Sequence, residues 1–174
     1  EEGSHCYGIV TSGTKPEPGK EFDRVLSAIS EIRRRFDVEP SASLGLLTED
    51  LAKSLADAGC VTYHHNLGTA RSFFPHICTT HDYQEDVETV QIAKAAGMRV
   101  CCGGILGLGE SADQRVELAE TLRDLDVDSV PLNFLNPIEG TPLEGHQSLT
   151  AMDCVRAVTM FRYFLSDKPI SVCG

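Results

Sequence analysis

The sequence holds no apolar run of 18 residues, the length that a membrane-spanning helix needs, so no span is expected. It has no basic surplus either. Fifteen Lys and Arg stand against 26 Asp and Glu, giving a formal net charge of -11 and a pI of about 4.9. That balance argues against nucleic acid and anionic membrane as partners, because both are met by a basic face. No basic start followed by an apolar stretch is present, so no secretory signal is expected. Without one, the seven cysteines (6, 60, 78, 101, 102, 154 and 173) read as reduced thiols in a cytoplasmic protein rather than as a disulfide framework. The first strand-to-helix turn lacks G-x-G-x-x-G, which weakens a dinucleotide-binding reading. The chain has no initiator Met and opens directly into a strand-like segment, so it is expected to be a piece of something longer.

What is present is an ordinary globular balance over 174 residues, 41% hydrophobic and 24% charged, enough for one domain spanning 1–174. Strand signals fall at 5–11, 41–46, 60–63, 98–100, 129–132 and 170–172. Helical periodicity falls at 21–36 and 83–96, and helices are expected after the N-cap residues Thr48, Ser111 and Thr150, with Gly59 and Gly97 as stops. The order is β-α five times and then one more strand. Crossover helices make the sheet parallel, and two architectures fit: part of a (β/α)8 TIM-type barrel, with about six strands and five helices, or an open doubly wound sheet.

In either architecture the strand C-terminal ends build the site. Cys6, Ser41, Ser43, His64, His65, Asn66, Cys101, Cys102, Asn133 and Cys173 are the residues assigned there. Cysteines on three strands at one level point to a metal or cluster site, and spacing does not separate zinc from an iron–sulfur cluster. Cys60, Cys78 and Cys154 read as buried packing residues. His65 reads as a satisfied interior histidine, His76, His81 and His146 as loop residues, and Glu110 as a charge at the start of the next helix.

Two runs carry a resemblance: YHHNLGTARSFFPHICTTHDYQEDVETVQIAKAAGMRVCCGGILGLGE (63–110) and SVPLNFLNPIEGTPLEG (129–145). With them the chain resembles the biotin synthase family of radical S-adenosylmethionine (SAM) enzymes over nearly its whole length. The resemblance implies a (β/α)8 barrel and sulfur insertion into dethiobiotin to form biotin. The implied cofactors are SAM, a SAM-cleaving [4Fe-4S] cluster and an auxiliary iron–sulfur cluster, [4Fe-4S] or [2Fe-2S], that supplies the sulfur. It also implies an electron donor such as flavodoxin or ferredoxin, and a homodimer. By the same resemblance Cys6, Cys101 and Cys173 are ligands of the auxiliary cluster. His64, Asn66 and Asn133 are substrate contacts. Asn66, Gly103, Gly104, Ile105 and Asn136 are SAM contacts, the glycines letting main chain approach the ligand. No catalytic side chain is assigned.

The departures are specific. No cysteine spacing gives Cys-x3-Cys-x2-Cys, the loop that holds the SAM-cleaving cluster in that family, and this segment is expected upstream of Glu1. Ser41 stands where the better-known form has a third auxiliary-cluster cysteine, and Ser171 where it has an arginine, with Cys173 two residues on. His64 replaces an asparagine, Gly68 an acidic residue that holds the ribose, and Asp86 an arginine that pairs with the SAM carboxylate. The chain alone is therefore expected to be inactive. The alternatives are another radical SAM barrel enzyme, of hydrogenase-maturase or methylornithine-synthase type, and a non-catalytic or truncated remnant. A zinc hydrolase would need a carboxylate near His64, His65 and Cys101, where none is placed.

Overall fold

The computed structural model describes residues 3–173. Helices begin where short polar side chains can occupy orphan backbone N–H groups. Thr48 caps α2 (Glu49–Ala58) by accepting from Leu51 N, and Gly59 closes it in the left-handed region. Ser111 with Gln114 makes a capping box for α4 (Ala112–Asp124), and Thr150 with Asp153 makes one for α5 (Ala151–Phe164). The longer α1 (Lys20–Arg35) carries Glu21 and Asp23 in its first turn and Arg33, Arg34 and Arg35 in its last, the charge order its dipole favours. With α3 (Tyr83–Ala95), the five α-helices match the sequence expectation.

Among the described residues seven strands accompany them, one more than expected: β1 (Cys6–Val10), β2 (Glu39–Ser43), β3 (Thr62–His64), β4 (Arg99–Cys101), β5 (Gly104–Leu106), β6 (Val130–Phe134) and β7 (Ile170–Cys173). The added strand is β5. The strand signal at 98–100 does not extend to it, yet it pairs with β6. Strand β2 also starts earlier than expected, passing through Pro40. That residue gives no N–H, but its carbonyl accepts from Val61 N at 2.9 Å. All strand pairs are parallel, in a four-stranded sheet ordered β1-β2-β3-β4 and a three-stranded sheet ordered β5-β6-β7. The α/β class with parallel strands is therefore as expected.

The chain forms two compact units. The first comprises residues 1–65 and 85–101, the second residues 66–84 and 102–174. In the first, Ile29, Ala42, Leu55, Tyr63, Val90 and Val100 are fully buried. In the second, Leu67, Leu106, Leu122, Val130, Leu132 and Phe161 fill the core. Each large aliphatic buried in this way contributes about 1.5–3 kcal/mol. No helix among the described residues is long and apolar enough to cross a membrane.

Candidate functional site

Register decides which side chains share a face. In the first unit Gly8, Ser41, Thr62 and Arg99 form one row across the four strands. Side chains alternate along each strand, so Cys6, Ser41, Ser43, His64, Arg99 and Cys101 lie on the same face. The opposite face holds the fully buried Ala42, Tyr63 and Val100. Cys6 is the first residue of β1 rather than a strand-end residue as the sequence suggested. Its Sγ–H donates to Ser41 Oγ at 3.3 Å, two residues ahead of its register partner Glu39. Cys101 closes β4 with His64 directly beside it in the row. Arg99 reaches back along this face to an ion pair with Glu39. His64 is half-buried, and that burial lowers the pKa of its imidazole and favours the neutral ring.

His65 points elsewhere. Its backbone N–H donates to the Cys101 carbonyl at 3.1 Å, and its Nε2–H donates to Asp86 Oδ1 at 2.8 Å. Both side chains are nearly enclosed, 11% and 4% exposed. Asp86 therefore orients a histidine. Its sequence signal was a strand-end His followed by an Asp in the first turn of the next helix, 21 positions on, a separation that local periodicity does not span.

In the second unit, Ile105, Asn133 and Cys173 fall in one row across β5, β6 and β7. Three positions selected for different roles thus stand side by side, opposite the face of Gly104, Leu106 and Leu132. Cys173 is exposed, with Ser171 Oγ 3.6 Å from its Sγ, and Asn133 is half-buried. Asn66 Oδ1 accepts from Gly103 N at 2.9 Å, so its amide oxygen is engaged within the protein. The two glycines permit close approach here to the protein's own chain. A Cβ on Gly103 would lie 1.9 Å from Pro131 O, and one on Gly104 would lie 2.6 Å from Gly68 O and 2.9 Å from Leu118 Cδ2. Asn136 lines a groove of about 420 Å³ with His76, Pro137, Ile138 and Leu143.

Two features were not anticipated. Glu110 does not serve the helix start, which Ser111 caps. Its buried carboxylate accepts from Gly107 N at 2.8 Å and from Arg115 Nε at 2.7 Å, closing the Gly-Leu-Gly turn. A cavity of about 390 Å³ lies beyond β1, lined by Thr11, Lys15, Lys20, Phe22 and Leu44. Its loop is held where Leu46 N donates to Thr14 O at 2.8 Å. Gly45 sits at φ +90 there, and a Cβ would be 2.3 Å from the same carbonyl. Among the described residues no three His, Cys, Asp or Glu side chains gather as a single-ion site.

Comparison with known proteins bears on the family and the fold. The chain is 60% identical over 172 residues to the biotin synthases of Syntrophotalea carbinolica and Geobacter sulfurreducens, covering 99% of this chain and 53% and 52% of theirs. It therefore spans about half the length of the curated relatives it matches. In structure it is similar to methylornithine synthase (TM-score 0.83, 18% identity, 95% of this chain and 49% of that one). It is also similar to HydG, a maturase of the [FeFe]-hydrogenase (TM-score 0.78, 16% identity, 96% and 40%). The Biotin and Thiamin Synthesis associated domain matches residues 131–174. The Radical SAM superfamily model matches residues 2–122, more than half of the sequence, and the chain belongs to that superfamily.

Proposed function

We propose that this chain is part of a biotin synthase, acting as one partial radical SAM domain over residues 1–174 in a cytoplasmic homodimer. In this reading the whole enzyme inserts sulfur into dethiobiotin, with a flavodoxin or ferredoxin as electron donor. SAM would supply the radical that abstracts hydrogen, and an auxiliary iron–sulfur cluster would supply the sulfur.

The observation that carries the reading is the thiol-bearing face of the first sheet. Soft thiolates favour iron–sulfur centres. The Cys6–Ser41 contact shows a two-residue lead between neighbouring strands. Cys101 lies on the same face of that sheet, and the reading assigns Cys6 and Cys101 to the auxiliary cluster, with Cys173 as the third expected donor. By contrast, the residues present do not fit the SAM-cleaving cluster, because no cysteine spacing here gives Cys-x3-Cys-x2-Cys. No step is assigned through it.

The remaining residues take binding roles. Asn133 both donates and accepts, which suits the cyclic urea of dethiobiotin. His64, kept neutral by burial, offers one donor and one acceptor beside Cys101. Asn66 presents its amide NH2, its oxygen being engaged by Gly103. The backbone of Gly103, Gly104 and Ile105, with Asn136, would hold SAM.

Anaerobic reconstitution with iron and sulfide, read by Mössbauer and visible absorption, tests the proposal on this chain and on its Cys6→Ser, Cys101→Ser and Cys173→Ser variants. Loss of the cluster in each variant is the expected result. A chain that holds no iron, or variants that match the parent, would make it a non-catalytic remnant.

A further inference from the structure

Residues 74–82, in the second unit, carry a thiol that sulfur insertion does not use. The short 3-10 helix Phe74–His76 ends in a turn where Cys78 N donates to Phe74 O at 3.0 Å. Cys78 was expected to be buried packing, yet it is only half-buried, between the exposed Ile77 and Thr79. His81 Nδ1 lies 3.5 Å from Cys78 Sγ, and its Nε2 lies 4.0 Å away. Thr80 Oγ1 stands 2.9 Å from His81 Nδ1 and 3.5 Å from Cys78 Sγ. The imidazole is held in place from behind by the buried Phe74, whose ring meets it edge-on at 5.6 Å. The arrangement has the parts of an activated thiol: sulfur, a base within reach, a hydroxyl that can accept from the same Nδ1 once it carries the proton, and access for a small reagent.

We propose that Cys78 is a reactive thiol activated by His81, a site of reversible S-modification that attacks the sulfur–sulfur bond of a small disulfide or persulfide. His81 Nδ1 takes the thiol proton, and the Cys78 thiolate attacks one sulfur of R–S–S–R′. A new Cys78–S bond forms as the old S–S bond breaks. The leaving R′S⁻ departs with the bonding electron pair and receives the proton back from His81. With a disulfide the product is a mixed disulfide and one thiol. With a persulfide R–S–SH, attack on the outer sulfur leaves Cys78–S–SH and RSH. No oxidant beyond the S–S bond is needed.

The experiment treats the reduced chain at neutral pH with glutathione disulfide in one arm and glutathione persulfide in the other. Adducts are located by peptide mass mapping, and Cys78 alkylation rates are measured against pH. The adduct is expected on Cys78, as a glutathionyl group or a single added sulfur, and the arm that reacts identifies the source. Alkylation at pH 7 should be about tenfold faster than in His81→Asn. Equal rates in parent and His81→Asn, or an adduct confined to other cysteines, would overturn the proposal. Should His81→Asn unfold, the parent's own pH–rate profile decides, since an ordinary free-cysteine profile refutes activation. The test uses no iron and is independent of what Cys6, Cys101 and Cys173 hold.

Discussion

Gly103 shows how much can depend on one missing methyl. Its would-be Cβ meets a backbone carbonyl, Pro131 O, at 1.9 Å, and neither partner is the flexible end of a side chain. Gly103→Ala is expected to cost about 3 kcal/mol or more in a urea titration. Gly8→Ala, whose Cβ would meet only Ser41 Oγ at 3.4 Å, should stay within about 1 kcal/mol. Cys60 makes a second residue-scale prediction. Burial pushes its thiol up from 9.0 to about 11. Below the unfolded value both states are neutral and stability is unaffected. Between about pH 9 and pH 11 the unfolded thiol ionises while the buried one does not, so stability falls as pH rises, by about 1–3 kcal/mol. Denaturation midpoints measured across this window should fall in the parent and fall less in Cys60→Ala. At this scale the sequence was only partly legible. The thiols and amides could be picked out as residue types, but their faces depend on register. The tie between His65 and Asp86 depends on a contact across 21 positions.

Among the elements, the helices were the most legible, because their signals are local. Thr48, Ser111 and Thr150 each cap the helix expected after them, and Gly59 closes α2 with positive φ. Ser111→Ala and Thr150→Ala are each expected to lower stability by about 1 kcal/mol, close to additive in the double variant, measured by the shift in urea midpoint at constant slope. A much smaller loss would mean that neighbouring groups take over the orphan N–H donors. The Ser72–Glu117 bonds and the Gln114–Ser72 bond are the nearest candidates at α4. Strand β5 was illegible for the opposite reason. Two glycines followed by Ile-Leu-Gly carry no alternation, and only pairing with β6 and the close passage beside Gly68 make them a strand. Likewise Glu110 read as a helix-start charge, because its sequence position fits that role. The positive φ of Gly107 and Gly109, which turns the chain so that Glu110 reaches Gly107 N, is a property of the folded loop.

On the scale of the whole molecule, the alternation of strands and helices was enough to anticipate a parallel α/β chain. The outermost strands set its solution behaviour. Strand β1 ends one sheet with Tyr7 57% and Val10 75% exposed, and β7 ends the other with Val172 62% exposed. Parallel edges of this kind recruit further strands. The isolated chain is therefore expected to self-associate with rising concentration in light scattering, and Val10→Lys with Val172→Lys should shift it towards monomer. A monomer at all concentrations with sharp cooperative unfolding would contradict this. The division of the chain has another consequence, for synthesis. The first unit is complete once residue 101 has left the ribosome. Residues 66–84 emerge earlier than that but belong to the same unit as residues 102–174: Gly68 O receives Ile105 N, and Ser72 bonds Gln114 and Glu117. A growing chain must therefore carry this segment unfinished while its neighbours fold. During that interval its apolar residues, Leu67, Phe74 and Tyr83 among them, are open to chaperones and to misassembly.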